Sequence, residues 1–295
     1  MKKTEEKSSR SAEGLYKFFI YFVLILLAVT IIVPVAWVFM ASIKQNAEFY
    51  GNPWALPAGF YWQNFVNAWN GAKMGEYMLN SVLVTALALV LLLVIALPAA
   101  YCLSRFRFKG SKLLNTLFMA GLFINVNYIV VPIFLMLRDG DVWLKNHIGS
   151  GFLLNNLFIL AVVYAATALP FTIYLLSGYF ATLPHDFEEA AYIDGAGFLR
   201  TFFQIMMPCA KGGLTSAAVL CFLNTWNEFT FSLILTSSES ARTLPLSLSY
   251  FTSQFSFNYT ALFAAVTIAV IPSIIVFAIF QEQVVSSLTA GSVKE

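Results

Sequence analysis

Six long apolar runs constrain this chain more than any other feature. They are Phe18–Ser42, Ser81–Ser104, Leu113–Leu137, Leu153–Ser177, Leu214–Thr236 and Thr260–Gln281, each 22 to 25 residues long. An α-helix rises about 1.5 Å per residue and a bilayer's hydrocarbon core is about 30 Å thick, so ~20 apolar residues cross it. The runs are continuous rather than alternating, which argues for helices and against the strands of a membrane barrel. The expected fold is all-α: a polytopic membrane helical bundle with six transmembrane helices. Charged residues make up 11% of the chain, against about 25% in a soluble domain. That is too little charge to cover a wetted surface, which excludes a soluble enzyme and a disordered chain. The third and fourth runs are the least clean, because Asn125, Asn127 and Pro132 interrupt one and Pro170 the other.

Lys and Arg set the expected orientation. Six spans put both termini on one side. With the termini inside, twelve Lys and Arg fall on inner segments and five on outer ones. Basic residues accumulate on the cytoplasmic side, so both termini are expected to be cytoplasmic. Lys2, Lys3, Lys7, Arg10 and Lys17 precede the first run in a signal-peptide pattern. The run exceeds the 7–15 residues of a signal core and no clear small-residue cleavage site follows, so it reads as a retained anchor. The expected layout is a cytoplasmic segment 1–17, a membrane domain 18–281 and a cytoplasmic tail 282–295.

Little in the chain carries bond-making chemistry. It has two His and three Cys, with no CxxC, HExxH or GxxxxGK[ST] pattern. No run contains a His, so neither an intramembrane enzyme nor a nucleotide-hydrolysing loop is expected. Cys102, Cys209 and Cys221 are odd in number and sit in or beside apolar runs, so they read as free thiols. A net charge of +2 does not point to nucleic acid. The first outer segment, residues 43–80, carries Trp54, Phe60, Tyr61, Trp62, Phe65 and Trp69, aromatics suited to a membrane–water boundary.

The inner segment Gly178–Gly213 is the most informative part. Asp186 with Glu189 three residues later reads as a capping box, and Gly195 as the left-handed residue that ends a helix. A short helix Asp186–Asp194 follows, then a second from after Gly197 to Met207, with Pro208 entering the next span. Phe187, Ala190, Ala191 and Asp194 share one stripe of the first helix by spacing. A helix this short is marginal in water alone. Asp186, Glu188, Glu189 and Asp194 with no Lys or Arg also differ from the basic face of a helix lying on lipid. It reads as a docking element.

These residues resemble a known family. Glu189-Ala190-Ala191, Gly195 four residues on, and Ile205-Met206-Met207-Pro208 are similar to the EAA loop of ABC importer permeases. The longer string EEAAYIDGAG resembles the carbohydrate (oligosaccharide) branch. Ala100–Gly110, Trp226-Asn227-Glu228-Phe229 and the tail Ser287–Glu295 agree with it. Met207 stands where Leu is usual and Gly212 where Pro often stands, which puts the exit angle into the fifth span in question. The resemblance implies a permease in the cell membrane that couples to an ATPase through Glu188, Glu189, Ala190, Ala191, Asp194 and Gly195, within a loop at about 178–213. It implies that Thr289, Gly291 and Lys294 of the tail touch the ATPase. Implied partners are a second homologous permease, two copies of a cytoplasmic ABC ATPase and an extracytoplasmic sugar-binding protein. ATP belongs to the partner subunits, and no cofactor is bound by this chain.

Glu228 is the one carboxylate well inside a run, with Asn224 one turn earlier on the same face. An ionisable group at that depth is costly and marks a path or a paired network. Two readings stand: an interhelical packing network, or a translocation path that also takes in Asn125, Asn127 and Asn227. A stand-alone secondary transporter or channel is the alternative class. It would place several charges in the membrane and leaves the acidic loop without a use.

Overall fold

The computed structural model describes residues 2–71, 73–254 and 258–290. Those residues form fourteen α-helices, a π-helical turn and a 3-10 turn, with no strand among them. The chain is an all-α polytopic membrane bundle. It divides into two compact units, Met1–Ala72 with Gln254–Ile268, and Lys73–Ser253 with Ala269–Glu295.

In the first unit α1 (Lys2–Ser42) contains a membrane-length stretch, Tyr16–Ser42, whose most apolar window buries nothing against this chain. After it come α2 (Asn46–Gly51) and α3 (Gln63–Gly71). The junction is a polar knot inside an aromatic shell. Lys44 is fully buried, and its ammonium donates to the carbonyls of Asn52 (3.2 Å) and Pro53 (2.9 Å). The Asn64 amide donates to the carbonyls of Ser42 and Lys44 and accepts from the Thr260 hydroxyl. Trp37 packs its ring on Phe49, Trp54 and Phe263. Phe60, Trp62 and Phe65 of the aromatic outer segment stack on one another.

The second unit is built on α4 (Met74–Arg105) and α7 (Leu157–Thr182), which pack along their length. Ala88, Ala96 and Ala100 of α4 are fully buried, and such small residues let two backbones approach in a membrane. α11 (Lys211–Trp226) lies against both. Tyr101, Ile173, Leu176, Phe180, Phe202 and Met206 fill the core between them. α14 (Tyr259–Ala290) is tied to α11 where the Ser216 hydroxyl meets the Gln283 carbonyl and the Trp226 indole the Ala269 carbonyl.

The six expected spans are redrawn in three places. The third is not one rod: α5 (Ser111–Gly121) and α6 (Val126–Ile148) meet at 103°. The break falls at Leu122–Asn125 rather than Pro132. Asn125 caps α6, its side-chain oxygen accepting from the Asn127 N–H at 2.9 Å, so the polar residues start a new helix. Pro170 interrupts nothing; it sits inside α7, which Asn156 caps through the Phe158 N–H. The fifth run stops early: α11 ends at Trp226, and α12 (Thr230–Leu235) begins after Asn227–Phe229. Among the described residues four helices are long and apolar enough to cross a membrane, or up to six when each bent pair counts as one span.

Candidate functional site

Pro184 follows the end of α7 and disfavours further helix at Leu183. The next helix, α8, runs Asp186–Ile193, close to the expected range. Its start differs from the expected capping box. No side chain caps it, and the N–H groups of Glu188 and Glu189 bond to the His185 carbonyl at 3.0 and 3.2 Å. His185 already has helical angles, which leaves Asp186 inside the first turn, where its charge meets the positive helix end instead.

The end is as the sequence predicts. Gly195 has φ +75°, the Gly195 N–H bonds to the Tyr192 carbonyl, and the Ala196 N–H bonds to the Ala191 carbonyl. These two bonds form a Schellman motif, which needs a left-handed residue at that position. The chain then forms α9 (Phe198–Thr201), a π turn (Phe202–Met206) and α10 (Met207–Cys209). Pro208 does not open the fifth span; α11 departs from this stretch at 75°. The exit angle rests on glycine. A Cβ on Gly213 would lie 2.5 Å from the Tyr179 ring, and one on Gly212 2.9 Å from the Tyr179 hydroxyl. Two bare backbones let α11 pass α7 here.

The buried face of α8 is Glu188 and Ala191; of the stripe Phe187, Ala190, Ala191 and Asp194 only Ala191 is buried. Glu188 turns into the chain. Its Oε2 lies 2.8 Å from Nη2 of Arg105 and accepts from the Arg105 Nε at 3.0 Å. Its Oε1 accepts from the Tyr101 hydroxyl at 2.7 Å. The Arg105 side chain is only 2% exposed, and its guanidinium also donates to the carbonyls of Leu183 and Pro184. Tyr101 is ringed by Phe106, Phe180, Phe198 and Phe202. Burial pushes the Glu188 carboxyl up, but the Arg105 and Tyr101 hydrogen bonds and the Arg105 charge outweigh it and hold the group below the usual glutamate range. Glu189, Ala190, Asp194 and Gly195 are exposed, as are Phe187, Tyr192 and Ile193, the last at 86%. An acidic and apolar face thus points away from the bundle.

Sequence reasoning treated Arg105 as one of several basic topology residues. A signal for its role was available: α8 carries three carboxylates and no cation, and Arg105 directly follows the apolar run Ser81–Ser104. Tyr101 lay within the string Ala100–Gly110 that resembles the family, but nothing in the sequence singled it out. Of the tail residues, Gly291 and Lys294 lie outside the described residues, and the Thr289 side chain does too.

Glu228 is not within a helix. It stands in the break between α11 and α12, where its carboxylate accepts from the N–H groups of Phe231 (2.8 Å) and Ser232 (3.2 Å) and so caps α12. Its Oε2 also accepts from the Tyr164 hydroxyl of α7 at 2.7 Å. Three donors thus hold both oxygens, a packing staple. The same residue lines a cavity of about 330 Å³ with Tyr164, Thr167, Thr172, Asn224 and Thr225. Asn125, Asn127 and Asn227 do not line it; Asn227 turns back to the Leu223 carbonyl.

Comparison with known proteins gives a consistent set of likenesses. The family model described as a binding-protein-dependent transport system inner membrane component matches residues 92–289. The diacetylchitobiose uptake system permease protein NgcG of Streptomyces coelicolor is 36% identical over 288 residues, 97% of this chain and 92% of its own. The trehalose/maltose transport system permease protein MalG of Thermococcus litoralis is 31% identical over 92% of this chain and 94% of its own. A crystal structure of a bacterial ABC transporter involved in the import of the acidic polysaccharide alginate holds a chain of the same fold. It has a TM-score of 0.77 at 24% identity, over 92% of this chain and 97% of that chain.

Proposed function

The chain belongs to the family of binding-protein-dependent transport system inner membrane components, and on that premise we propose that it is a permease subunit of an ATP-driven oligosaccharide importer. Relatives named for uptake of diacetylchitobiose and of trehalose or maltose support a small sugar as the cargo. Membership favours this reading over a stand-alone carrier or channel. The chain supplies half of the path through the membrane, and a second homologous permease supplies the other half. An extracytoplasmic binding protein delivers the sugar, and two copies of a cytoplasmic ABC ATPase bind and hydrolyse the ATP. Both termini and the 178–213 loop face the cytoplasm.

One observation carries the coupling role: α8 is fastened to the bundle through Glu188 and Arg105 while Glu189, Tyr192 and Ile193 face outward. A helix this short does not hold itself together in water, so its seat has to come from the bundle. Closure of an ATPase pair is a rigid-body movement. A helix clamped at one face and gripped at the other passes that movement on. The Glu188–Arg105 pair takes it to the end of α4. Phe202 and Met206, buried beside Tyr101, take it toward α11. Ala190 exposes little side chain and allows close approach of the ATPase surface, and Gly195 supplies the left-handed turn that ends the helix. The tail residues Thr289, Gly291 and Lys294 add a second contact with the ATPase pair.

The test is reconstitution with the partner subunits. Glu189→Lys, on the outward face, is expected to abolish sugar uptake and to weaken ATPase retention while the subunit stays in the membrane. Normal uptake and normal ATPase retention by this variant would remove the coupling role from α8.

A further inference from the structure

A second feature of the loop region adjoins that coupling pair. Beyond the last turn of α4 lies a cavity of about 990 Å³, lined by Arg105, Arg107, Lys112, Asn115 and His185 together with Ser111 and its neighbours. No carboxylate lines it. Arg105 is already paired with Glu188, but neither Arg107 nor Lys112 has a carboxylate partner among the described residues. The eleven-residue α5 starts at the same cavity. Gly110 precedes it at φ +96° with no side-chain cap, and the N–H groups of Lys112 and Leu113 find no acceptor among the described residues. Two unpaired cations and the positive end of a helix converge on one space, a combination that favours an oxyanion.

Location selects the kind of oxyanion. The cavity begins at Leu103 and Ser104, at the terminus of a membrane-length helix, so it lies at the level where headgroups meet water. From its floor α5 runs on with Leu113 and Leu117 exposed at 64% and 58%. A ligand with a phosphate at one end and hydrocarbon at the other covers both surfaces; inorganic phosphate or a nucleotide leaves the apolar strip bare. Basic pockets beside membrane helices are where anionic headgroups are held. We propose that this cavity binds the phosphate of an anionic phospholipid, whose acyl chains lie along Leu113 and Leu117 of α5. The lipid would neutralise Arg107 and Lys112 beside the base of the α8 clamp, with Arg105 as the shared wall.

The test uses the importer purified with its partner subunits and placed in nanodiscs of phosphatidylcholine, with or without phosphatidylglycerol. Native mass spectrometry reads how much phosphatidylglycerol each complex keeps, and melting in phosphatidylcholine alone checks that each variant folds. Wild type is expected to retain phosphatidylglycerol and to melt at a higher temperature with it. Arg107→Gln combined with Lys112→Gln is expected to retain it about tenfold or more less well, and each single variant to lose an intermediate amount. Arg107, Lys109 and Lys112 are all exposed, but Lys109 does not line the cavity, so Lys109→Gln removes an equal charge and is expected to behave as wild type. Retention by the double variant equal to wild type overturns the site. An equal loss in Lys109→Gln overturns it too, by reducing it to diffuse surface charge. Inorganic phosphate that reproduces the thermal shift in phosphatidylcholine discs overturns the lipid and assigns the cavity to a soluble anion.

Discussion

Arg105 and Glu188 stand 83 residues apart in sequence and 2.8 Å apart in space, with the Tyr101 hydroxyl on the other carboxylate oxygen. This pair joins the end of a membrane helix to the helix proposed to meet the ATPase. Its geometry makes the first expectation quantitative. Removing one partner of a buried pair leaves the other charge unmatched, at a cost of about 3–5 kcal/mol. Arg105→Ala is expected to lower the melting temperature in detergent and to uncouple ATP hydrolysis from uptake. The swap Arg105→Glu with Glu188→Arg should recover part of the stability. A melting temperature unchanged in Arg105→Ala would show that the pair does not seat α8.

The pair also sets a pH dependence. Burial opposes the charged form of Glu188, and its bonds to Arg105 and Tyr101 and the Arg105 charge more than reverse this, so its folded pKa lies below the usual glutamate value of 4.5. A depressed carboxylate contributes stability above the unfolded pKa and loses it as pH falls through the folded one. The difference in melting temperature between wild type and Glu188→Gln is therefore expected to stay constant from neutral pH down to 4.5 and to shrink only below it. A difference that already shrinks between pH 7 and 5 would contradict the depressed value.

Gly195 offers a test of backbone alone. No atom lies within 4 Å of a Cβ placed there, so a substitution meets no steric clash, only the left-handed conformation. Gly195→Ala is expected to cost about 1–2 kcal/mol in the loop. Gly195→Asn should cost less, since Asn tolerates this region. Gly195→Pro cannot adopt φ +75° and is expected to abolish uptake while the subunit still inserts. Uptake that follows the order Gly, Asn, Ala, Pro supports the Schellman turn as the requirement; full uptake in the Pro variant refutes it.

Tyr164 and Glu228 separate packing from passage. Tyr164→Phe removes one of three donors to a carboxylate between α7 and α12. Two backbone donors stay on the carboxylate, so the loss is that of one hydrogen bond, about 1–2 kcal/mol, and the melting temperature is expected to fall. If the staple is structural, the KM for sugar delivered by the binding protein stays unchanged. A raised KM at normal stability would put Glu228 in contact with the solute.

Topology has its own check in a background with Cys102, Cys209 and Cys221 replaced. A cysteine at Leu56, which is 84% exposed, is expected to react with an impermeant thiol reagent in intact cells. One at Lys3 is expected to be protected. The opposite pattern would invert the assigned sides.

Much of this protein was legible in its sequence because the relevant physics is local. An apolar run of membrane length specifies a spanning helix wherever it occurs, since no other structure satisfies its backbone in lipid. Gly195 after an acidic helix specifies its own left-handed turn, because only the residue's own backbone is at issue. Local signals also misled. Asp186 and Glu189 have capping-box spacing, yet His185 is already helical and the box never forms. Glu228 counts as mid-span along the run, yet it stands beyond the end of α11 and its carboxylate caps α12.

The amino-acid sequence by itself determined the fold class, the positions of the apolar runs and the short helix–glycine loop between the fourth and fifth. Hydrophobic burial and backbone conformation act over a few neighbouring residues, so the chain states them directly. Only the tertiary structure decided that Glu188 turns inward while Glu189 turns out, that Arg105 is its partner, and that Arg107 and Lys112 face one cavity. Each depends on segments distant in the chain being brought within a few ångströms by the packing of α4 against α7, and charge has no sequence period that would announce its partner.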